Sequence, residues 1–170
     1  MKIVTLTLNP ALDKSSSTER MIPEHKLRCS AMRIDAGGGG INVSKGIRKL
    51  DGESIAVFPS GGHNGRLIES LLGEAGIQTS IVEVPDETRE NISITETSTN
   101  QQFRFTLPGT ELTESQADAC LDLIEKIKPE YLVASGSLPP GLSEHYFEKI
   151  AHFAKKIGAR FILDTPGKPL

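Results

Sequence analysis

The chain has 170 residues, 37% hydrophobic and 24% charged, with no tryptophan and a formal net charge of −3. Such a length holds one domain with a proper core, or part of a larger one. The acidic balance and the scattered Lys and Arg exclude a nucleic-acid surface, which needs a clustered basic excess, and no stretch approaches the roughly 18 apolar residues of a membrane span.

In chain order, residues 2–8 (KIVTLTL) form an apolar, β-branched run of strand length, closed by Asn9-Pro10. Residues 26–34 show period-2 strand character through Leu27, Cys29 and Ala31. Residues 41–50 place Val43, Ile47 and Leu50 on one helical face, with Lys45, Arg48 and Lys49 away from it. A buried-type strand at 54–58 is stopped by Pro59 and the Gly61-Gly62 pair. Leu67, Ile68, Leu71, Leu72 and Ala75 give a helical stripe ending at Gly76, and a short strand follows at 80–84. Residues 91–107 read as a hairpin, with Ile92/Ile94 and Phe103/Phe105/Leu107 flanking the polar turn Ser98-Thr99-Asn100.

The alternation then resumes. Thr113 with Gln116 predicts a capping box, followed by the apolar face Ala117, Cys120, Leu121, Ile124 and Ile127 and ended by Pro129. A strand is expected at 131–134. Ser143 is expected to cap a helix whose face is Phe147, Ile150, Ala151, Ala154 and Ile157, stopped by Gly158, and a last strand at 161–163 precedes Asp164. Strand and helix in turn, with short connections, predict an α/β fold with a mainly parallel sheet covered on both faces. The strands around 15–34 and 90–107 have no helix to cover them. They predict a small separate sheet, either a lid or a dimer surface, with edge strands of the main sheet as the alternative.

In open α/β sheets, ligands bind beyond the carboxyl ends of the strands. The segments expected there are residues 9–13, 60–64, 135–140 and Asp164, joined by the glycine run 37–40 if the intervening strands fold back over that edge. Gly37–Gly38–Gly39–Gly40 is either a flexible lead into a helix or a place where backbone N–H groups meet a ligand oxygen at a helix N-terminus. It lacks the Lys-Ser/Thr of a P-loop and the spacing of GxGxxG. Asn42 on the first turn favours the ligand reading, because an amide donates to one sugar hydroxyl and accepts from another. Asp13 caps a turn or accepts sugar hydroxyls. Lys26, Arg89 and Arg104 are each either solvated surface charges or anion ligands on a lid. The four histidines show no metal-ligand pattern, and Cys29 and Cys120 lie outside any CxxC spacing. With no signal-peptide pattern at the start, the chain reads as cytoplasmic, with both thiols reduced.

Residues 37–44 (GGGGINVS), with Gly61-Gly62 downstream, resemble the N-terminal signature of the ribokinase-like (PfkB-type) carbohydrate kinase family. Residues 5–13 (TLTLNPALD) and 135–141 (SGSLPPG) resemble its phosphosugar-kinase branch, and residues 23–29 (PEHKLRC) with the four-glycine loop resemble the minor bacterial 6-phosphofructokinases within it. The resemblance implies a three-layer ribokinase-like fold, here with an incomplete sheet, and a β-sheet lid that forms a homodimer interface. It puts Asp13, Gly38 and Asn42 on sugar hydroxyls, Lys26 and Arg89 on the substrate phosphate, Ser137 beside the substrate, and Arg104 on the lid near it. It implies a small-molecule sugar phosphate as partner, with ATP and Mg²⁺ as cofactors. The reaction implied is transfer of the ATP γ-phosphoryl group to the 1-hydroxyl of fructose 6-phosphate. The alternatives are 1-phosphofructokinase, tagatose-6-phosphate kinase and a non-catalytic sugar-phosphate-binding module. Asp51 stands where the family signature has Gly or Ser. The Asn-x-x-Glu and Gly-Ala-Gly-Asp motifs of the family's nucleotide-binding half do not occur in the 170 residues. The chain is therefore expected to be an N-terminal, substrate-binding part, inactive by itself, with the catalytic Asp beyond Leu170.

Overall fold

The computed structural model describes residues 1–166. Along the chain run β1 (Ile3–Leu6), β2 (Ala11–Thr18), β3 (Arg33–Gly37), α1 (Gly39–Lys49), β4 (Ile55–Gly61), α2 (Gly62–Glu74), β5 (Gln78–Val84), β6 (Glu90–Glu96), β7 (Gln101–Thr106), α3 (Glu114–Ile127), β8 (Tyr131–Ser135), α4 (Tyr146–Lys156) and β9 (Arg160–Asp164). Five parallel strands form the main sheet in the order β5-β4-β1-β8-β9, and a separate four-stranded sheet runs β3-β2-β6-β7. The expected α/β architecture and the separate small sheet are both present.

Side-chain alternation divides the main sheet between two cores. Val4, Leu6, Val57, Leu132 and Ala134 point to α3 and α4, where Cys120, Ile124, Tyr146 and Ile150 are buried. Ala56 and Phe58 point the other way, to Ile41 of α1 and Ile68 and Leu72 of α2. A run that is apolar on both faces is what a strand covered on both sides requires. Cys120 serves as a small core hydrophobe, with burial pushing its thiol up to about 12. Cys29 is exposed, and both thiols are free.

Several local expectations hold. The Thr113–Gln116 capping box forms and Gly76 takes φ +69° after α2; Asp51, in place of the signature's Gly or Ser, takes φ +57° after α1, which Asp tolerates. Four do not. Pro59 does not end β4, which continues to Gly61. It lies past the last β1–β4 pair, Leu6↔Val57, and faces the same side as Val57, so its missing N–H breaks no ladder bond. Ser143 is not a side-chain cap; α4 starts at Tyr146 after His145, with no side-chain capping bond.

The α1 face is also different. Its buried residues are Gly40, Ile41 and Ser44, while Leu50 is 84% exposed. Small residues let α1 lie so close to β1 that a Cβ at Gly40 would stand 2.6 Å from the Leu6 carbonyl oxygen. Thr5 Oγ1 and Ser44 Oγ share a buried hydrogen bond of 2.7 Å across that contact. Finally, the strand expected at 26–34 is reduced to Arg33–Gly37, and the strand paired with it is residues 11–18, whose polar sequence (ALDKSSST) hides its period.

Candidate functional site

From β1 the chain winds outward to β4 and β5 on one side, then returns to build β8 and β9 on the other. The topological switch point therefore lies between the carboxyl ends of β1 and β8, where an open α/β sheet leaves its crevice. The glycine run fills that position. Gly38 has φ +122°, a conformation glycine alone adopts freely, and a Cβ at Gly39 would lie 2.5 Å from the Gly136 nitrogen of the turn after β8. The glycines are thus required by a turn and a close backbone approach. Thr7 Oγ1 accepts the Ile41 N–H at 2.9 Å and fixes the first turn of α1. Among the described residues, no group accepts the N–H of Gly39 or Gly40 at this positive end of α1; Gly39 is half-buried and Gly40 is packed against β1.

The smaller sheet delivers the charged groups. In β2, Asp13 lies opposite Asp35 of β3 and Asn91 of β6. Its carboxylate packs on Gly37, where any side chain would displace it, and its Oδ1 accepts from Asn91 Nδ2 at 2.9 Å. Arg89, just ahead of β6, reaches three separate segments. One terminal nitrogen donates to Asn91 Oδ1 at 3.1 Å and to the Leu107 carbonyl at 3.3 Å, and the other donates to the Asn9 carbonyl at 3.3 Å. Its Nε is buried without a partner. Burial pulls the guanidinium pKa down, and the neighbouring Asp13 charge works against that. A half-buried cation with an unspent donor, beside a carboxylate, is an arrangement suited to a ligand that carries both an anion and hydroxyl groups.

The other expected residues divide. Asn42 is exposed on the first turn of α1, with its backbone N–H bonded to Gly38 O. Ser137 is exposed beyond β8, and its Oγ accepts from Asn9 Nδ2 at 3.2 Å. Arg104 is on the same sheet face as Asp13, as the register Ser15↔Ser93↔Arg104 requires. It is two strands away, about 10 Å, and its Nε donates to Gln102 Oε1 at 2.6 Å. Lys26 does not join the cluster. It is exposed in the β2–β3 connection, which folds against the far end of β2 through Thr18 Oγ1 to Arg28 O at 3.1 Å. Five residues of strand separate Thr18 from Asp13, or about 17 Å. Asn91 and Thr7, which the sequence reading did not single out, emerge from strand register and helix docking.

Fold and site together define an α/β protein with a crevice at the switch point that gathers a carboxylate, a guanidinium and a glycine-rich helix start, bordered by a second sheet. Residues 7–169 match the model of the pfkB family carbohydrate kinases, and the chain belongs to that family. It is 42% identical over 168 residues to the ATP-dependent 6-phosphofructokinase isozyme 2 of Mycobacterium tuberculosis, covering 98% of this chain and 50% of that protein. It is 34% identical over 172 residues to the 1-phosphofructokinase of Xanthomonas campestris, covering 100% of this chain and 54% of that protein. The crystal structure of Escherichia coli phosphofructokinase-2 in complex with potassium superposes with a TM-score of 0.91 at 39% identity, over 98% of this chain and 54% of that one. The chain spans about half the length of the curated relatives it matches.

Proposed function

We propose that the whole protein transfers the ATP γ-phosphoryl group to the 1-hydroxyl of fructose 6-phosphate, and that these residues form its sugar-phosphate site. The observation that carries this reading is the convergence of Asp13, Arg89 and the Gly38–Gly40 helix start on one crevice. Asp13 and Asn42 bind sugar hydroxyls, with the backbone at Gly38 beside them. Arg89 binds the 6-phosphate, Ser137 lies against the substrate, and Arg104 adds positive charge from β7. The higher identity to a 6-phosphofructokinase than to a 1-phosphofructokinase supports the choice of sugar.

Phosphoryl transfer depends chiefly on positioning and charge neutralisation. These residues hold the acceptor sugar by both ends, so that its 1-hydroxyl is presented in one orientation. Among the described residues, no three His, Cys, Asp or Glu side chains cluster to hold a metal ion. The glycine turn also lacks a P-loop lysine. ATP and Mg²⁺ belong to the proposal for the whole protein.

Lys26 belongs to the connection that folds against Thr18, itself about 17 Å of strand from Asp13, so in this reading its phosphate contact is made in the site of a second copy. That role supports a homodimer formed through the smaller sheet. Calorimetric titration of the chain with fructose 6-phosphate, fructose 1-phosphate, tagatose 6-phosphate and fructose tests the reading. Fructose 6-phosphate is expected to bind most tightly, with fructose at least tenfold weaker for lack of the charge-assisted phosphate bonds. Equal affinity for all four sugars would overturn it.

A further inference from the structure

Asn91 is half-buried and stands directly opposite Asp13 in the β2–β6 register. Its amide is occupied on both sides by charged neighbours. Nδ2 donates to Asp13 Oδ1 at 2.9 Å, and Oδ1 accepts from Arg89 at 3.1 Å. These partners fix the amide's orientation, because an ionised carboxylate only accepts and a guanidinium only donates. A neutral group therefore stands between two opposite charges that attract each other. Without it, carboxylate and guanidinium could close into a direct pair, bidentate where geometry allows. Each would then use on the other the hydrogen-bonding capacity that a ligand needs. The buried, unpartnered Nε of Arg89 is a donor that remains unspent in the present arrangement.

We infer that Asn91 is a positioning residue that keeps Asp13 and Arg89 from pairing, reserving the carboxylate for sugar hydroxyls and the guanidinium for phosphate. This rests on the sugar-phosphate reading in that Asp13 and Arg89 are its ligands. The separation itself belongs to the free chain and is tested without any sugar.

The experiment uses the intact chain, with crystal structures of the variants and NMR titrations with inorganic phosphate and fructose 6-phosphate. In Asn91→Leu, Arg89 and Asp13 are expected to form a direct ion pair, and affinity for both probes to fall about tenfold or more. Asn91→Ser, a smaller polar replacement, gives the same comparison should the leucine variant fold poorly. The double variant Asp13→Asn/Asn91→Leu is expected to recover phosphate affinity to within about threefold of the parent chain, since a neutral amide no longer captures the guanidinium. A purely structural role for Asn91 would leave the double variant as weak as the single one, and that result would overturn the inference. So would an Asn91→Leu structure in which Arg89 and Asp13 stay apart. Binding of neither probe by the parent chain would count against the sugar-phosphate reading, while the geometry of Asn91→Leu would still decide the positioning role.

Discussion

Gly39 and Arg89 represent two kinds of residue at the crevice, one needed for its lack of a side chain and the other for its charge. In Gly39→Ala the new methyl meets the Ser135–Gly136 backbone, with 2.5 Å to the Gly136 nitrogen, and neither backbone can turn aside as a flexible side chain would. Overpacking of this sort costs about 1–3 kcal/mol, so the unfolding free energy from a urea titration is expected to fall by that amount, with a lower midpoint, and sugar-phosphate binding to weaken with it. A midpoint within experimental error of the parent would show that α1 does not pack as closely as the structure has it. Arg89→Met keeps much of the side-chain bulk and removes the charge. Its affinity for fructose 6-phosphate is expected to drop at least tenfold, by about 1.5–3 kcal/mol for a lost charge-assisted bond, with fructose binding unchanged in calorimetry. Equal losses for both sugars would place Arg89 in the fold rather than on the phosphate.

Most of the site was legible at this scale because its residues lie at strand ends and in glycine turns, which have a local sequence signature. Asn91 had none. Its importance depends on lying opposite Asp13, and register is a property of two strands together. Lys26 shows the converse: its motif is evident in sequence, but where its side chain reaches depends on how the β2–β3 connection folds.

At the scale of elements, α1 is held to β1 by hydroxyls rather than by an apolar stripe. Thr7→Val keeps the shape and removes the acceptor of the Ile41 N–H, a buried contact. An unsatisfied buried donor costs about 1–3 kcal/mol. Thermal unfolding should reveal that loss, and an unchanged melting temperature would mean the N–H has another partner. The helix face was misread from sequence for the same reason: periodicity analysis looks for large apolar residues, and here Gly40 and Ser44 form the contact. Only the second half of β2 falls within the strands expected around 15–34, because its run of half-buried polar residues carries almost no hydrophobic signal. The strands and helices of the main sheet were legible because two-sided burial leaves long apolar runs.

The smaller sheet adds a pH-dependent element. Lys14 of β2 and Glu90 of β6 form an ion pair of 2.8 Å, and Asn64 Nδ2 of α2 also donates to Glu90, at 3.1 Å. The hydrogen bond from Lys14 is the main cause holding the Glu90 carboxyl below its ordinary range. The unfolded chain therefore binds this proton more readily than the folded one. The pair stabilises the fold above the ordinary carboxyl pKa of about 4.3, and its contribution disappears as pH falls through the lower, folded value. Melting temperatures of the parent and Glu90→Gln should differ at pH 6 and converge towards pH 3. A difference independent of pH would assign the effect to packing.

For the whole molecule, the decisive asymmetry is between the two faces of the smaller sheet. One face presents Asp13, Ser15, Asn91, Ser93 and Arg104, and borders the crevice. The register Ile34↔Lys14↔Ile92↔Phe105 runs across the opposite face, which also carries Phe103 and Leu107 by alternation. Ile34, Phe105 and Leu107 there are 40%, 48% and 44% exposed, and Met32 continues the row at 48%. Exposed apolar residues on one face of a four-stranded sheet, gathered on β6 and β7 with Ile34 and Met32 beyond Lys14, are better covered than left in water. A second copy can cover them by two-fold symmetry, matching the same patch on both partners, and would bring each Lys26-bearing connection towards the other chain. Phe105→Asp places a charge on the β7 side of that face, among its exposed apolar residues, where burial without a partner is costly. Light scattering at micromolar concentration is expected to give twice the 18.4 kDa chain mass for the parent and the single chain mass for Phe105→Asp. A dimeric Phe105→Asp would move the interface elsewhere, and with it the reason for expecting Lys26 to act across chains.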